Sequence, residues 1–142
     1  MNELLFMLYD YKQRKLYLRY ADHSATSLET IDSFIDRCCL SNGSSMRGRI
    51  AGSRHHLGMI SKPPVIVNRE CCLFPLFGRM NPNNIWFNYQ LLEKTVKLDE
   101  HLTKVIFKNQ LSLIINVNIR IIRQQVSRCH QLLGILNHFN YN

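Results

Sequence analysis

The sequence predicts a single α+β domain over residues 1–142, a mostly antiparallel sheet with an N-terminal amphipathic helix and a long C-terminal helix. Three observations carry that expectation. A chain of 142 residues that is 46% apolar and 20% charged, with six glycines and four prolines, has the composition of one ordered core and not of a disordered or collagen-like chain. Short apolar pieces separated by turn residues recur along it, as strands do. Two stretches instead space their apolar residues by three and four, the period of a helix packed on one face.

The first pieces are LLFMLY at 4–9 and KLYLRY at 15–20, separated by DYKQR. They read as a hairpin with Leu16, Leu18 and Tyr20 on one face. From Thr26 the period changes, and Leu28, Ile31, Phe34, Ile35 and Cys38 define an amphipathic helix near 27–41. Thr26 with Glu29 forms the sequence of a capping box, and SNG at 41–43 supplies the stop. Short strands are expected next, at 56–60, at 64–68 after the Pro63/Pro64 pair, and at 72–77. NPNN at 81–84 is turn chemistry before a strand IWFNYQLL, and 93–100 reads as an exposed loop or strand end. KVIFK and LSLIIN, about a turn at Asn109, suggest a further hairpin. The last segment is a helix capped by Asn118, with Ile119, Ile122, Val126, Cys129, Leu133 and Leu136 as its apolar stripe. Arg120, Arg123, Gln124, Ser127, Arg128 and Gln131 fall on its other side.

The formal charge of +8 is unevenly spread. Residues 1–36 carry −2, residues 37–92 carry +6 with Glu70 as the only acid, residues 93–100 carry −1, and residues 101–142 carry +5 with no acid at all. Two long, nearly acid-free stretches attract a polyanion, above all nucleic acid, through phosphate neutralisation and counterion release.

The five cysteines are an odd number, and four of them form the adjacent pairs Cys38/Cys39 and Cys71/Cys72. Neighbouring cysteines suit disulfide geometry poorly, so reduced thiols in a cytosol are expected. The longest apolar runs are far shorter than a membrane span, and the N-terminal one follows Glu3 and runs into Asp10, unlike a signal peptide. A cytoplasmic protein with no membrane partner is the expectation.

Residues 43–54, GSSMRGRIAGSR, are the most unusual segment. Glycines and serines interleaved with Arg47, Arg49 and Arg54 read as a tight loop that presents backbone N–H groups to phosphate and lets arginines approach DNA. Arginine suits both phosphate forks and a narrow, electronegative minor groove. The GxxxxGK[ST] and GxGxxG spacings of nucleotide loops are absent.

This segment resembles the competence transcription factor family, the ComK-type regulators, whose pattern GSSxxGRxAGS/T stands here as Gly43, Ser44, Ser45, Gly48, Arg49, Ala51, Gly52 and Ser53. The resemblance continues through ISKPPVIVN at 60–68, LFP at 73–75, Pro82 and Trp86, VIFKN at 105–109 and QVSR at 125–128, and it spans roughly residues 30–135. It implies a DNA-binding activator of genes for DNA uptake that reads paired A-tract and T-tract boxes, largely through the minor groove. It also implies a homo-oligomer, with RNA polymerase and a proteolytic adaptor as further partners and a nucleoid-associated location. Family members usually continue for tens of residues beyond the QVxR helix, whereas this sequence stops at Asn142, so adaptor-guided control, assembly and activation are expectations that rest on the resemblance alone. Met46 and Arg47 occupy variable positions of the pattern, so a role for Arg47 follows from chemistry alone.

The site expected from these readings consists of Arg47, Arg49 and Arg54 as groove or phosphate contacts. Gly48 and Gly52 permit close approach, and Lys62, Arg120, Arg123 and Arg128 anchor phosphates. No obvious helix-turn-helix pair is visible. No catalytic group, metal or cofactor is expected. Cys72 and Arg79 are one residue too far apart for a CxxxxxR phosphate loop, the histidines lack metal spacing, and no nucleophile has an evident base. Other readings stay open: a non-specific RNA or single-strand binder stacking bases on Trp86, Phe87 and Tyr89, a protein-interaction module that dimerises through the 119–136 stripe with its basic face only solvated, and a truncated paralogue that dimerises with a full-length regulator and modulates it.

Overall fold

The structure, a computed structural model, describes residues 3–140. The N-terminal hairpin forms as β1 (Leu4–Asp10) and β2 (Lys15–Tyr20), and β3 (Ser24–Ser27) adds to its edge. Helices α1 (Ile31–Leu40) and α2 (Met46–Leu57) follow, and then β4 (Val65–Asn68), β5 (Cys71–Pro75) and β6 (Ile85–Asn88). These six strands make one antiparallel sheet in the order β3-β2-β1-β6-β5-β4. A 3-10 turn over Tyr89–Leu91 leads to a second antiparallel sheet of β7 (Leu92–Lys97), β8 (Thr103–Phe107) and β9 (Ser112–Ile115), and α3 (Ile119–Asn140) closes the chain. The α+β class stands as predicted.

Alternation along the central strands builds two cores. On one face Met7, Leu16, Leu18, Val65, Val67, Leu73 and Trp86 pack with Phe34, Ile35, Cys38 and Cys39 of α1 and Met46 of α2. On the other, Leu5, Ile66, Cys72, Phe74 and Phe87 meet Val105, Phe107 and Ile115 of the small sheet and Ile119, Ile122, Cys129 and Leu132 of α3. The order is therefore helices, sheet, then small sheet plus helix. Each large apolar side chain fully buried contributes about 1.5–3 kcal/mol, so both faces of the central sheet hold the fold.

Four expectations need correction. Three strands precede the first helix, which starts at Ile31 and not at 27. Its cap is Thr30, whose side chain accepts from the Ser33 N–H, because Thr26 is committed to pairing with Tyr17 and Leu28 is 84% exposed. Residues 46–57 are a helix and not a loop, which also absorbs the start of the strand expected at 56–60. Gly58, at φ +92°, ends that helix by donating its N–H to the Arg54 carbonyl. The IWFNYQLL strand breaks after Asn88 and its continuation crosses into the second sheet. Finally, the buried stripe of α3 runs through Gln125 and Leu132, with Val126, Leu133 and Leu136 only half-buried.

Candidate nucleic-acid interface

The glycine-arginine segment owes its helical form to local contacts. Ser45 caps α2 by accepting from the Gly48 N–H at 3.0 Å, and Asp36 of α1 accepts from the Met46 N–H at 2.8 Å. Both satisfy donors at the positive end of the helix. A Cβ on Gly48 would sit 2.8 Å from Ser44 Oγ and 3.3 Å from the capping Ser45 Oγ, so a side chain there would require the serine hydroxyls to shift. On the inner side Met46 and Ile50 pack into the core, and the buried Ser53 hydroxyl donates to the Pro64 carbonyl. Residues 41–45 join α1 to α2, so a pair of helices linked by a short turn exists where none was visible in the sequence.

The outer side of α2 presents Arg47, Gly48, Ala51, Gly52 and His55, all exposed. Among the described residues Arg47 has no hydrogen-bond or ion-pair partner. A Cβ on Gly52 would meet nothing within 4 Å, so packing does not demand glycine at that position.

The other two arginines of the segment also hold structure. Arg49 is half-buried, donates from Nη2 to the Asn42 carbonyl at 3.1 Å and leaves its buried Nε without a partner. Arg54 donates from Nε to the Ile60 carbonyl at 3.3 Å, tying the helix to the turn after it.

Lys62 and Arg128 come together around a buried glutamine. Gln125 Nε2 donates to the carbonyls of Lys62 at 3.0 Å and Pro75 at 2.6 Å, and its Oε1 accepts from Arg128 Nη1 at 2.9 Å. The Lys62 ammonium donates to the Leu76 carbonyl at 3.0 Å. Burial first, and the Arg128 charge second, push its pKa down. Arg120 and Arg123 are exposed on α3, with Arg123 beside Lys94 and Lys108 around a cavity of about 330 Å3. The start of α2 packs on the α1 side of the central sheet, whereas its C-terminal end meets α3, where Leu57 joins the other core and Arg54 shares a notch with Lys62, so the predicted residues form a chain of neighbours and not one compact patch. Arg47, Gly48 and Gly52 lie on the outer face of α2, Arg54 leads to the Lys62–Arg128 node, and Arg120 and Arg123 lie exposed on α3.

Arg79 is not among the site residues expected from the sequence. It pairs with Asp32 and lines both a groove of about 650 Å3 with Tyr9, Tyr11 and Arg14 and a notch of about 80 Å3 with Arg54 and Lys62. Its place in the almost acid-free stretch 37–92 was the available signal. Trp86 and Phe87 are 6% and 0% exposed on opposite sides of the sheet, so neither offers a ring face to a base. All five cysteines are buried. Burial pushes the Cys39 thiol up to about 11 and the Cys71 thiol up to about 12, the reverse of an activated nucleophile. Among the described residues no helix is long and apolar enough to cross a membrane, and no three His, Cys, Asp or Glu side chains gather as a metal site.

Comparison with protein families matches residues 9–138 to the family described as ComK protein. No curated protein and no solved structure matches the chain.

Proposed function

This chain belongs to the ComK family, a family of competence-related transcription factors and not of enzymes, and on that premise we propose that it binds AT-rich duplex boxes, largely through the minor groove, to regulate genes for DNA uptake. The observation that carries this reading is the outer face of α2, where an unpartnered Arg47 stands beside the small residues Gly48, Ala51 and Gly52.

Dimensions decide how such a helix meets DNA. A helix with its side chains is about 10–12 Å across, whereas the minor groove is about 6 Å wide, so α2 lies over the groove mouth and does not enter it. A helix would fit the major groove, but glycine and alanine are too short to reach base edges from there. Their contribution is to let the helix backbone come close to the sugar-phosphate walls while Arg47 extends into the groove. A-tracts narrow that groove and deepen its negative potential, so arginine binding discriminates sequence through shape. Arg47 and His55 are eight residues apart, about 12 Å along the helix, enough to touch both sides of the groove. Lys62, Arg120, Arg123 and Arg128 add phosphate contacts as the duplex bends around the molecule. Paired boxes are served by two copies of the chain, and RNA polymerase and a proteolytic adaptor are the further partners in this reading.

The test is Arg47→Ala, which removes no hydrogen bond or ion pair among the described residues. Binding to a duplex with A-tract and T-tract boxes should weaken and its preference over a GC-substituted duplex should shrink about tenfold, the loss of about 1.4 kcal/mol. Unchanged affinity and unchanged salt slope would remove α2 from the interface.

A further inference from the structure

The notch of about 80 Å3 between α2, the turn after it and the end of β5 has a particular composition. Its floor is apolar, with Pro63, Phe77 and Trp86, and its polar lining is Arg54, Ser61, Lys62 and Arg79. None of its lining residues is an acid. Each cation is held in place by one anchor that leaves other donors unused. Arg54 is held through Nε by the Ile60 carbonyl, Lys62 by the Leu76 carbonyl, and Arg79 by Asp32, which lies outside the notch.

Lys62 is the telling member. It is half-buried, its acceptor is a neutral carbonyl, and Arg128 is close enough to disfavour its charge. Buried charges are ordinarily compensated, and the half-buried Arg54 and Lys62 concentrate positive potential over an apolar floor, with the exposed Arg79, paired with Asp32, at its rim. Among the described residues no acid lines the notch, and of its three cations only Arg79 has a counter-charge, Asp32 outside it. The volume suits a single tetrahedral oxyanion and excludes a base or sugar, which would have to rest on the rim.

We propose that this notch is a binding site for one phosphate group, gripped by Arg54, Ser61, Lys62 and Arg79. The guanidinium groups offer forked N–H donors, the ammonium a point charge and the serine a hydroxyl donor, the set by which proteins hold phosphate. Two sources share this chemistry: a backbone phosphate of a bound duplex, and free inorganic phosphate. In its duplex form the inference rests on the DNA-binding reading above; in its free form it does not.

The experiment uses the whole chain and two readouts. In the first, inorganic phosphate is titrated at ionic strength held constant with sodium chloride while the melting temperature is followed. A bound ion raises it with saturation. In the second, tract-duplex affinity is measured across a salt series, where one phosphate contact contributes a slope of about one. Lys62→Gln and Arg79→Gln are compared with wild type, and Arg54→Gln serves if either fails to fold. A slope reduced by about one in these variants supports the site as a backbone-phosphate contact. A saturable phosphate response that the variants lose by half or more, with the slope unchanged, supports it as a free-phosphate site. No phosphate response in wild type together with an unchanged slope in the variants overturns it. The preference for tract over GC duplex, read in the same titrations, separates the two readings. If it persists while both notch readouts are flat, the notch alone falls; if it is absent while the melting temperature responds, the α2 reading alone falls.

Discussion

Gly52 separates the stability of α2 from its use. It lies inside the helix, its backbone is not among the positive-φ glycines, and a Cβ there would meet nothing within 4 Å. Alanine is therefore free to take the position without strain, and a glycine in a helix interior costs about 1 kcal/mol relative to alanine. Gly52→Ala should stabilise the protein by about that amount. For a chain of 142 residues the unfolding entropy near the midpoint is about 0.3 kcal/mol/K, so the melting temperature should rise by about 3 °C. Gly52→Gln keeps a good helix former but sets a side chain on the face that is to approach DNA. It should melt at or above the wild-type temperature and bind tract duplex about tenfold more weakly, close to 1.4 kcal/mol. Calorimetry and fluorescence anisotropy on the same preparations give both numbers. A lower melting temperature for Gly52→Ala would refute the helix as described. Full DNA affinity for Gly52→Gln would refute the contact face.

Three further outcomes are expected. Gln125→Leu removes the donors to the Lys62 and Pro75 carbonyls, and each buried acceptor left without a partner costs about 1–3 kcal/mol, so the urea midpoint should fall clearly; an unchanged midpoint would show that the bonds at 3.0 and 2.6 Å contribute nothing. The Cys39 and Cys71 thiols titrate near 11 and 12 in the folded chain against 9.0 ordinarily, so their contribution is complete below pH 9 and is lost as pH rises toward those values. Urea midpoints should therefore decline between pH 8 and pH 10.5, and a thiol reagent at pH 8 should label the native protein only as fast as it opens; prompt labelling of all five cysteines would contradict their burial. Trp86 is the sole tryptophan and is 6% exposed, so its emission should resist iodide quenching and stay nearly constant when single-stranded DNA is added, whereas strong quenching by the strand would revive base stacking.

The strands whose two-residue alternation meets a core were legible, whereas the largely exposed β3 and β7 were not, β7 having read as a loop or strand end. Leu16 and Leu18 are buried as their spacing demands, and KVIFK and LSLIIN pair across the turn at Asn109. The helix α2 was hidden by composition. Met46, Ile50, Ser53 and Leu57 already step by four, three and four, but glycine at 48 and 52 carries an intrinsic penalty and serine stands where an apolar residue would mark the inner face. What overrides the propensity is tertiary: the Asp36 carboxylate on the Met46 N–H and the Ser53 hydroxyl on the Pro64 carbonyl, separated by ten and eleven residues. The Thr26/Glu29 capping signal failed for the same kind of reason, since sheet pairing with Tyr17 claimed Thr26 first.

Candidate contacts were visible as residue types but not as directions. Arg47 and Arg49 are two apart in one motif, yet one faces solvent without a partner and the other turns inward to the Asn42 carbonyl. Periodicity does distinguish them once the segment is known to be helical. Arg79 and Lys62 are seventeen positions apart in sequence, and only the packing of β5 against the turn after α2 brings them to one notch.

The most direct measurement is anisotropy with three probes across a salt series: a duplex carrying two spaced A-tract/T-tract boxes, its GC-substituted counterpart, and a single strand. Recognition of groove shape by the α2 face predicts at least tenfold tighter binding to the tract duplex, about 1.4 kcal/mol, persisting as salt rises. Equal binding to all three that collapses steeply with salt would contradict it and reduce the charge of +8 to a surface for any polyanion.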